Sequence, residues 1–229
     1  MAAGEGRRLR PVTERWPKPV LPIDGRPVLA TLLRELAAAG CARVTIVTGH
    51  LAEQVEALAG DGSAFGIDAA FVRQPSPDGS ADTVVRALAA GAEPPLVVAG
   101  ADTVFAPGDL ARFAEAFARS GAAGALAVSR DPPPGARRTP VEVEGGTVVR
   151  LVDVEGTTPY GAPPLWGFGE PLRPFLERLS GPPYELGEAY QRAINGGARV
   201  IAVEVGKTRD LTDPADLVHE NFPYVERGT

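Results

Sequence analysis

Apolar residues recur along this chain in two rhythms. Over 27–40 they fall three and four apart (Val28, Leu29, Leu32, Leu33, Leu36), which is one face of a helix. Proline stands near the start of that stretch and glycine just past its end, as helix ends prefer. Arg43–Thr48 is short and β-branched and predicts a strand. The same reading continues with a helix over 51–58 closing at Gly60, a strand over 69–73, and a helix over 81–90 capped by Ser80. A buried strand follows over 96–99, then an amphipathic helix from Pro107 to about Gly121, and a strand over 125–129. This alternation predicts an α/β fold: a mostly parallel sheet with helices on both faces.

The rhythm then changes. Residues 141–152 read as two strands joined at Gly145-Gly146. A strand over 164–168, helices over 171–179 and 185–195, a strand over 198–205 and a last helix over 214–221 complete the chain. With no internal repeat and no long linker, the expectation is one domain over 1–229 with an excursion at about 131–168.

Composition narrows the function classes. Of 229 residues, 44% are hydrophobic and 23% charged, ordinary for a chain with a normal core. The net charge of −6 argues against a general nucleic-acid binder. Cys41 is the only cysteine, which excludes an intrachain disulfide and a multi-cysteine metal site. No apolar run approaches the roughly 20 residues of a membrane helix. A cytoplasmic protein, monomer or homodimer, without membrane or nucleic-acid partners, is expected. Lys18 and Lys207 are the only lysines.

Ligands of open parallel sheets sit beyond the carboxyl ends of strands, so those ends are where chemistry is sought. The chain opens Ala3-Gly4-Glu5-Gly6-Arg7-Arg8, where successive amides suit an anion and Arg8 adds a forked cation. Pro17-Lys18-Pro19 holds one ammonium on a stiff backbone. Gln74, a side chain with both donor and acceptor, precedes Gly79 and Ser80 in a strand-to-helix loop. Asp102 follows the strand over 96–99, and Asp210 stands in a late acidic stretch where Asp213 before Pro214 is better read as a helix cap. Two carboxylates together with substrate phosphates suit Mg²⁺. Each piece alone is equally an ordinary loop; their order carries more.

That order resembles the sugar-1-phosphate nucleotidyltransferases, the NDP-sugar pyrophosphorylases, whose fold is Rossmann-like of the glycosyltransferase-A type. Residues 1–13 and Pro17-Lys18-Pro19 match the family's glycine-rich opening and its P-K-P, while 184–189 and 210–221 look like its later segments. The resemblance implies that Ala3, Gly4, Gly6 and Arg8 bind nucleotide phosphates, with Lys18 at the reacting centre. It implies that Gln74, Gly79 and Ser80 hold the base, at a spacing like that of thymidylyl- and uridylyl-transferring members. Asp102 and Asp210 would hold Mg²⁺, and Asp153 and Glu185 would face the sugar. Arg8, Lys18 and Asp102 are the expected catalytic residues. The implied reaction joins a nucleoside triphosphate (UTP or dTTP favoured) to a sugar-1-phosphate and releases pyrophosphate; the alternative is an impaired, nucleotide-binding regulatory paralogue.

Three departures stand out. The family's E-K-P lysine has no counterpart near Asp153, leaving Lys207, Arg137 or Arg138 as substitutes. The usual aromatic residue before the late aspartate is Arg209, which either contacts phosphate or sugar or lies at the surface. The family's glycine loop follows a strand, and the expectation is that about 6–8 residues of strand lie upstream of Met1.

Overall fold

The structure, a computed structural model, describes residues 1–130, 139–151, 158–177 and 179–222. In chain order its elements are β1 (Pro22–Ile23), β2 (Arg26–Pro27), α1 (Val28–Ala38), β3 (Arg43–Thr48), α2 (Ala52–Ala59), β4 (Asp68–Arg73) and α3 (Ser80–Ala89). Next come β5 (Leu96–Ala99), β6 (Thr103–Val104), α4 (Asp109–Ser120), β7 (Gly124–Arg130), β8 (Thr139–Pro140), β9 (Glu142–Glu144) and β10 (Thr147–Arg150). The chain ends with β11 (Tyr160–Ala162), β12 (Leu165–Phe168), α5 (Leu186–Asn195), β13 (Val200–Glu204), β14 (Arg209–Asp210) and α6 (Pro214–Asn221). These gather into two compact units, both discontinuous in sequence.

The larger unit holds Asp78–Gly100 and Phe105–Thr208. Its sheet runs β5-β12-β7-β13-β10-β9. The α/β class is as expected, and the sheet itself is mixed: β13 is parallel to β7, while β12 is antiparallel to both β7 and β5. Residues 160–168 run back along β7, with β11 and β12 both antiparallel to it. Gly167 makes this packing possible, because a Cβ there would meet the Phe117 ring at 2.7 Å. Behind the sheet Tyr190 is fully buried and donates to Gly167 O at 2.7 Å. The hairpin over 141–152 is present as β9 and β10, and Gly145 and Gly146 both take positive φ in its turn, as the sequence requires.

Two helix expectations change. The segment Glu170–Leu176 is a 3₁₀ helix, since Pro174 lacks the N–H an α-helical ladder needs there. The amphipathic helix after Pro107 begins at Asp109, behind Gly108 in a left-handed conformation. Asp109 is buried, salt-bridged to Arg112, and accepts Gly206 N at 2.9 Å, which ties the 205–208 loop to α4.

The smaller unit holds Met1–Pro77, Ala101–Val104 and the C-terminal segment from Arg209. Strands β3 and β4 form a parallel pair in register from Arg43↔Asp68 to Thr48↔Arg73. Two further ladders, β1/β2 and β6/β14, are short and antiparallel. Leu9, Leu21, Ile23, Val28 and Leu211 form one buried cluster, so the opening loop, α1 and the C-terminal segment share a core. Asp213 caps α6 as expected, in a reciprocal box with Asp216. Among the described residues, no helix is long and apolar enough to cross a membrane.

Candidate functional site

The opening residues are threaded through the smaller unit. Ala2 N donates to Val47 O at 2.8 Å, and Ala2 bridges Thr48 in parallel sense. Met1 O accepts Ala101 N at 2.9 Å. Residues 1–3 therefore join the end of β3 to the turn that carries Asp102. Gly49 permits this approach: a Cβ there would meet Ala3 O at 2.7 Å and Gln74 O at 3.0 Å. Sequence reading passed over Gly49, although a glycine directly after a strand was a detectable cue.

The glycine loop that follows is built around Lys18. Gly6 has φ +62°, and a Cβ there would meet Thr13 Cγ2 at 2.9 Å and Lys18 Cγ at 3.0 Å. Buried Thr13 donates to Gly6 O at 3.0 Å, and His50 Nε2 lies 2.6 Å from Thr13 O. The Lys18 stem thus packs on the loop backbone, and its Nζ stands 3.5 Å from Asp102 Oδ2. At Gly4 a side chain would meet nothing within 4 Å, so the loop is open on that side. Glu5 pairs with Arg7 at 2.7 Å and Arg10 at 3.5 Å, and those guanidinium groups hold its carboxyl below the usual range. Arg8 is exposed and makes no ion pair among the described residues.

Asp210 closes β14, which pairs antiparallel with β6. Their register sets Asp210 opposite Thr103, the residue next to Asp102. Arg209 is engaged by carboxylates of the smaller unit. It salt-bridges Asp24, and its Nε meets Glu220 at 2.5 Å. It also donates to Glu220 O at 3.2 Å, while Asp24 N donates to that same carbonyl at 3.1 Å. These contacts push the guanidinium pKa up and the Asp24 carboxyl down. In a ladder, successive side chains take opposite faces, so anchoring Arg209 commits Asp210 to the other face.

Among the remaining expected residues, Gln74 is buried in the smaller unit, with its N–H on Thr48 O at 2.7 Å. Gly79, Ser80 and Glu185 lie in the larger unit. Ser80 does not cap α3; the helix begins at Ser80 itself. Its hydroxyl donates to Glu185 Oε2 at 2.5 Å and accepts Leu186 N at 2.8 Å, so the backbone of α5 competes successfully for the capping oxygen. Gly79 has φ +105°, and a Cβ would meet the Tyr184 backbone at 2.3 Å. Lys207 is exposed in the larger unit. Asp153, Arg137 and Arg138 lie outside the described residues.

The family model for Nucleotidyl transferase matches residues 1–137. N-acetylmuramate alpha-1-phosphate uridylyltransferase of Neisseria meningitidis is 39% identical over 104 residues, which is 44% of this chain and 44% of that one. CMP-5'-(3-aminopropyl)phosphonate synthase of Streptomyces rubellomurinus is 37% identical over 157 residues, 68% of this chain and 23% of that one. The matches thus span under half the length of either relative. The inositol-1-phosphate CTP transferase structure from T. maritima superposes with a TM-score of 0.80 at 20% identity, covering 94% of this chain and 88% of that one. That likeness shows the Rossmann-like nucleotidyltransferase fold.

Proposed function

We propose, from the premise that the chain belongs to the nucleotidyl transferase family, that it transfers a nucleotidyl group from a nucleoside triphosphate to a sugar-1-phosphate. An acceptor phosphate oxygen bonds to the α-phosphorus as the bond to the pyrophosphate oxygen breaks. The acceptor is already ionised at neutral pH, so no general base is required. Positioning and charge stabilisation supply the rate. Both compact units are read as parts of one catalytic domain.

The observation that carries this reading is the grouping around Lys18, a glycine turn packed on its stem and Asp102 at 3.5 Å from its ammonium; Asp210 stands opposite Thr103, the neighbour of Asp102, in the β14–β6 ladder. Lys18 would balance charge on the transferred phosphoryl group. Arg8 and the amides of Ala3, Gly4 and Gly6 would hold the remaining phosphate oxygens. Mg²⁺ fits the donor set, because it takes one or two carboxylates and fills its shell with phosphates and water. When bound, the ion would neutralise phosphate charge; Asp102 and Asp210 would hold it.

The base is read by Gln74, Gly79 and Ser80 only on the strength of their spacing. The relatives' names divide between uridylyl and cytidylyl transfer, and between sugar phosphate, phosphonate and inositol phosphate. UTP and dTTP remain first in a screen, with CTP, GTP and ATP beside them. Pyrophosphate release with Mg²⁺ over these triphosphates and a panel of sugar-1-phosphates is the test. Release with one or more pairs, abolished by chelator, is expected. Nucleotide binding without release from any pair would replace this reading with that of a regulatory nucleotide-binding protein.

A further inference from the structure

The opening loop is fastened from outside itself, at the corner where β3 turns into α2. His50 N donates to Ala3 O at 3.3 Å, and His50 Nε2 lies 2.6 Å from Thr13 O. A carbonyl oxygen only accepts, so the proton of that second bond is on Nε2. Four residues on, Gln54 Nε2 donates to Arg15 O at 2.7 Å. Thr13 passes the hold to the middle of the loop: its hydroxyl donates to Gly6 O at 3.0 Å, and Leu9 N donates to the same carbonyl at 2.8 Å. His50 thus grips both ends of residues 3–13, once through its backbone and once through its ring. The corner itself is bent sharply. Leu51 takes φ +49°, a conformation non-glycine residues rarely adopt and one that persists only where the surroundings impose it.

We infer that the β3–α2 corner pre-forms the phosphate loop, with His50 as its positioning residue and Gln54 as a second clasp. This role rests on the loop's binding of phosphates, as proposed above. In a trans peptide the N–H points opposite to the C=O it is joined to. With Ala3 O turned to His50, and Gly6 O turned to Thr13 and Leu9, the N–H groups of Gly4 and Arg7 face away from those partners. Gly4 lies on the open side of the loop, where a Cβ would meet nothing within 4 Å. Amides held in this way meet an anion without first being ordered, and a preformed site gains affinity by that saving. A ring nitrogen that must keep its proton to hold Thr13 does not serve as a base, in accord with an acceptor phosphate that needs none. His50, Gln54 and the whole loop belong to the smaller unit.

The test is calorimetric binding of inorganic triphosphate, with Mg²⁺ present, to the wild type, His50→Met, His50→Gln and Gln54→Met, each well below its thermal midpoint. His50→Met keeps bulk and loses the donor, and is expected to raise Kd about fivefold, the scale of one hydrogen bond. His50→Gln, whose amide nitrogen stands in for Nε2, should bring Kd back near the wild-type value. Gln54→Met, at the more exposed clasp, should raise Kd about threefold. A histidine that only supports the fold would lower the midpoint and leave Kd unmoved. The inference is overturned if His50→Met binds inorganic triphosphate like the wild type, or if His50→Gln is as weak as His50→Met. A defect seen with a nucleoside triphosphate and absent with inorganic triphosphate overturns it too, since that loss would belong to the base. Should His50→Met fail to fold, Gln54→Met decides: a raised Kd supports the inference, and a wild-type Kd overturns it. A wild type that binds inorganic triphosphate but releases no pyrophosphate from any substrate pair overturns the transfer reaction alone. A wild type that binds no inorganic triphosphate overturns the role given to His50.

Discussion

Gly6 shows how one residue joins backbone chemistry to the site. Its φ of +62° is a conformation L side chains rarely hold, and the space a Cβ would fill is taken by Thr13 and the Lys18 stem. Gly6→Ala should therefore cost about 1–3 kcal/mol, seen as a lowered thermal midpoint, and should displace Lys18 as well. Gly4→Ala is the control, since nothing lies within 4 Å of a Cβ there. An equal loss of stability at both positions would refute the steric account. Lys18 itself is only 13% exposed at the side chain, held so that its charge is not spent on solvent. Lys18→Ala should lower kcat about 100-fold, the scale of one lost charge-stabilising donor, while the melting curve stays close to that of the wild type. A kcat within about threefold of wild type would remove Lys18 from the reacting centre.

At the scale of elements, the clamp on α6 is the part to challenge. Arg209 ties β14 to the β1–β2 turn through Asp24, and Asn221 at the end of α6 accepts Gly25 N at 2.8 Å and donates to Pro22 O at 2.8 Å. The Asp24 side chain is 65% exposed, so solvent screening limits the pair. Arg209→Met is expected to cost only about 1 kcal/mol. Its larger effect is on the direction of Asp210, read as a weaker response to Mg²⁺. The pH dependence follows from the depressed Asp24 pKa. A carboxyl depressed in the folded state stabilises fully above its ordinary pKa of 3.8 and loses that contribution as pH falls through the lower folded value. Acid unfolding of the wild type below that ordinary value should thus be steeper than that of Arg209→Met. Coincident acid transitions would show that the clamp carries no such linkage.

The sequence displayed some of these elements plainly and hid others, and the division has physical causes. Helix α6 was legible to its ends because Asp213, Pro214 and Asp216 are local cues. So was the β9–β10 hairpin, whose Gly-Gly turn admits few conformations. The antiparallel course of β12 was not legible, because it depends on which strand lies beside β7, a matter settled by packing at Gly167 and Phe117. The site shows the same division. The glycine loop, Lys18 and Asp102 stand out by their order along the chain, which resembles that of the family. The commitments of Ser80 to Glu185 and of Arg209 to Asp24 join residues more than 100 apart, and no local pattern reveals them.

For the whole molecule, the decisive quantity is a coupling between metal, nucleotide and stability. A ligand that binds only the folded chain stabilises it by RT ln(1 + [L]/Kd), about 2.7 kcal/mol at a hundredfold excess over Kd. Two carboxylates alone hold Mg²⁺ weakly, since the ion keeps most of its waters until phosphates replace them. Mg²⁺ by itself should therefore leave the thermal midpoint nearly unchanged, and UTP or dTTP alone should raise it modestly. The two together should raise it by more than the sum of the separate shifts. Asp102→Asn and Asp210→Asn should each melt near the wild type without ligands and lose that extra increment. Asp102 lies in a turn and Asp210 on β14, far apart in the chain, so a shared loss would mean one ion reads both. Because the chain forms two compact units, the midpoint is best followed by two probes, to establish that one transition is observed. If the increment survives in Asp210→Asn while Asp102→Asn loses it, the second ligand lies elsewhere and the paired-carboxylate site is wrong. If it survives in both, Mg²⁺ binds the nucleotide alone, and the ladder that sets Asp210 opposite Thr103 serves the fold and not the metal.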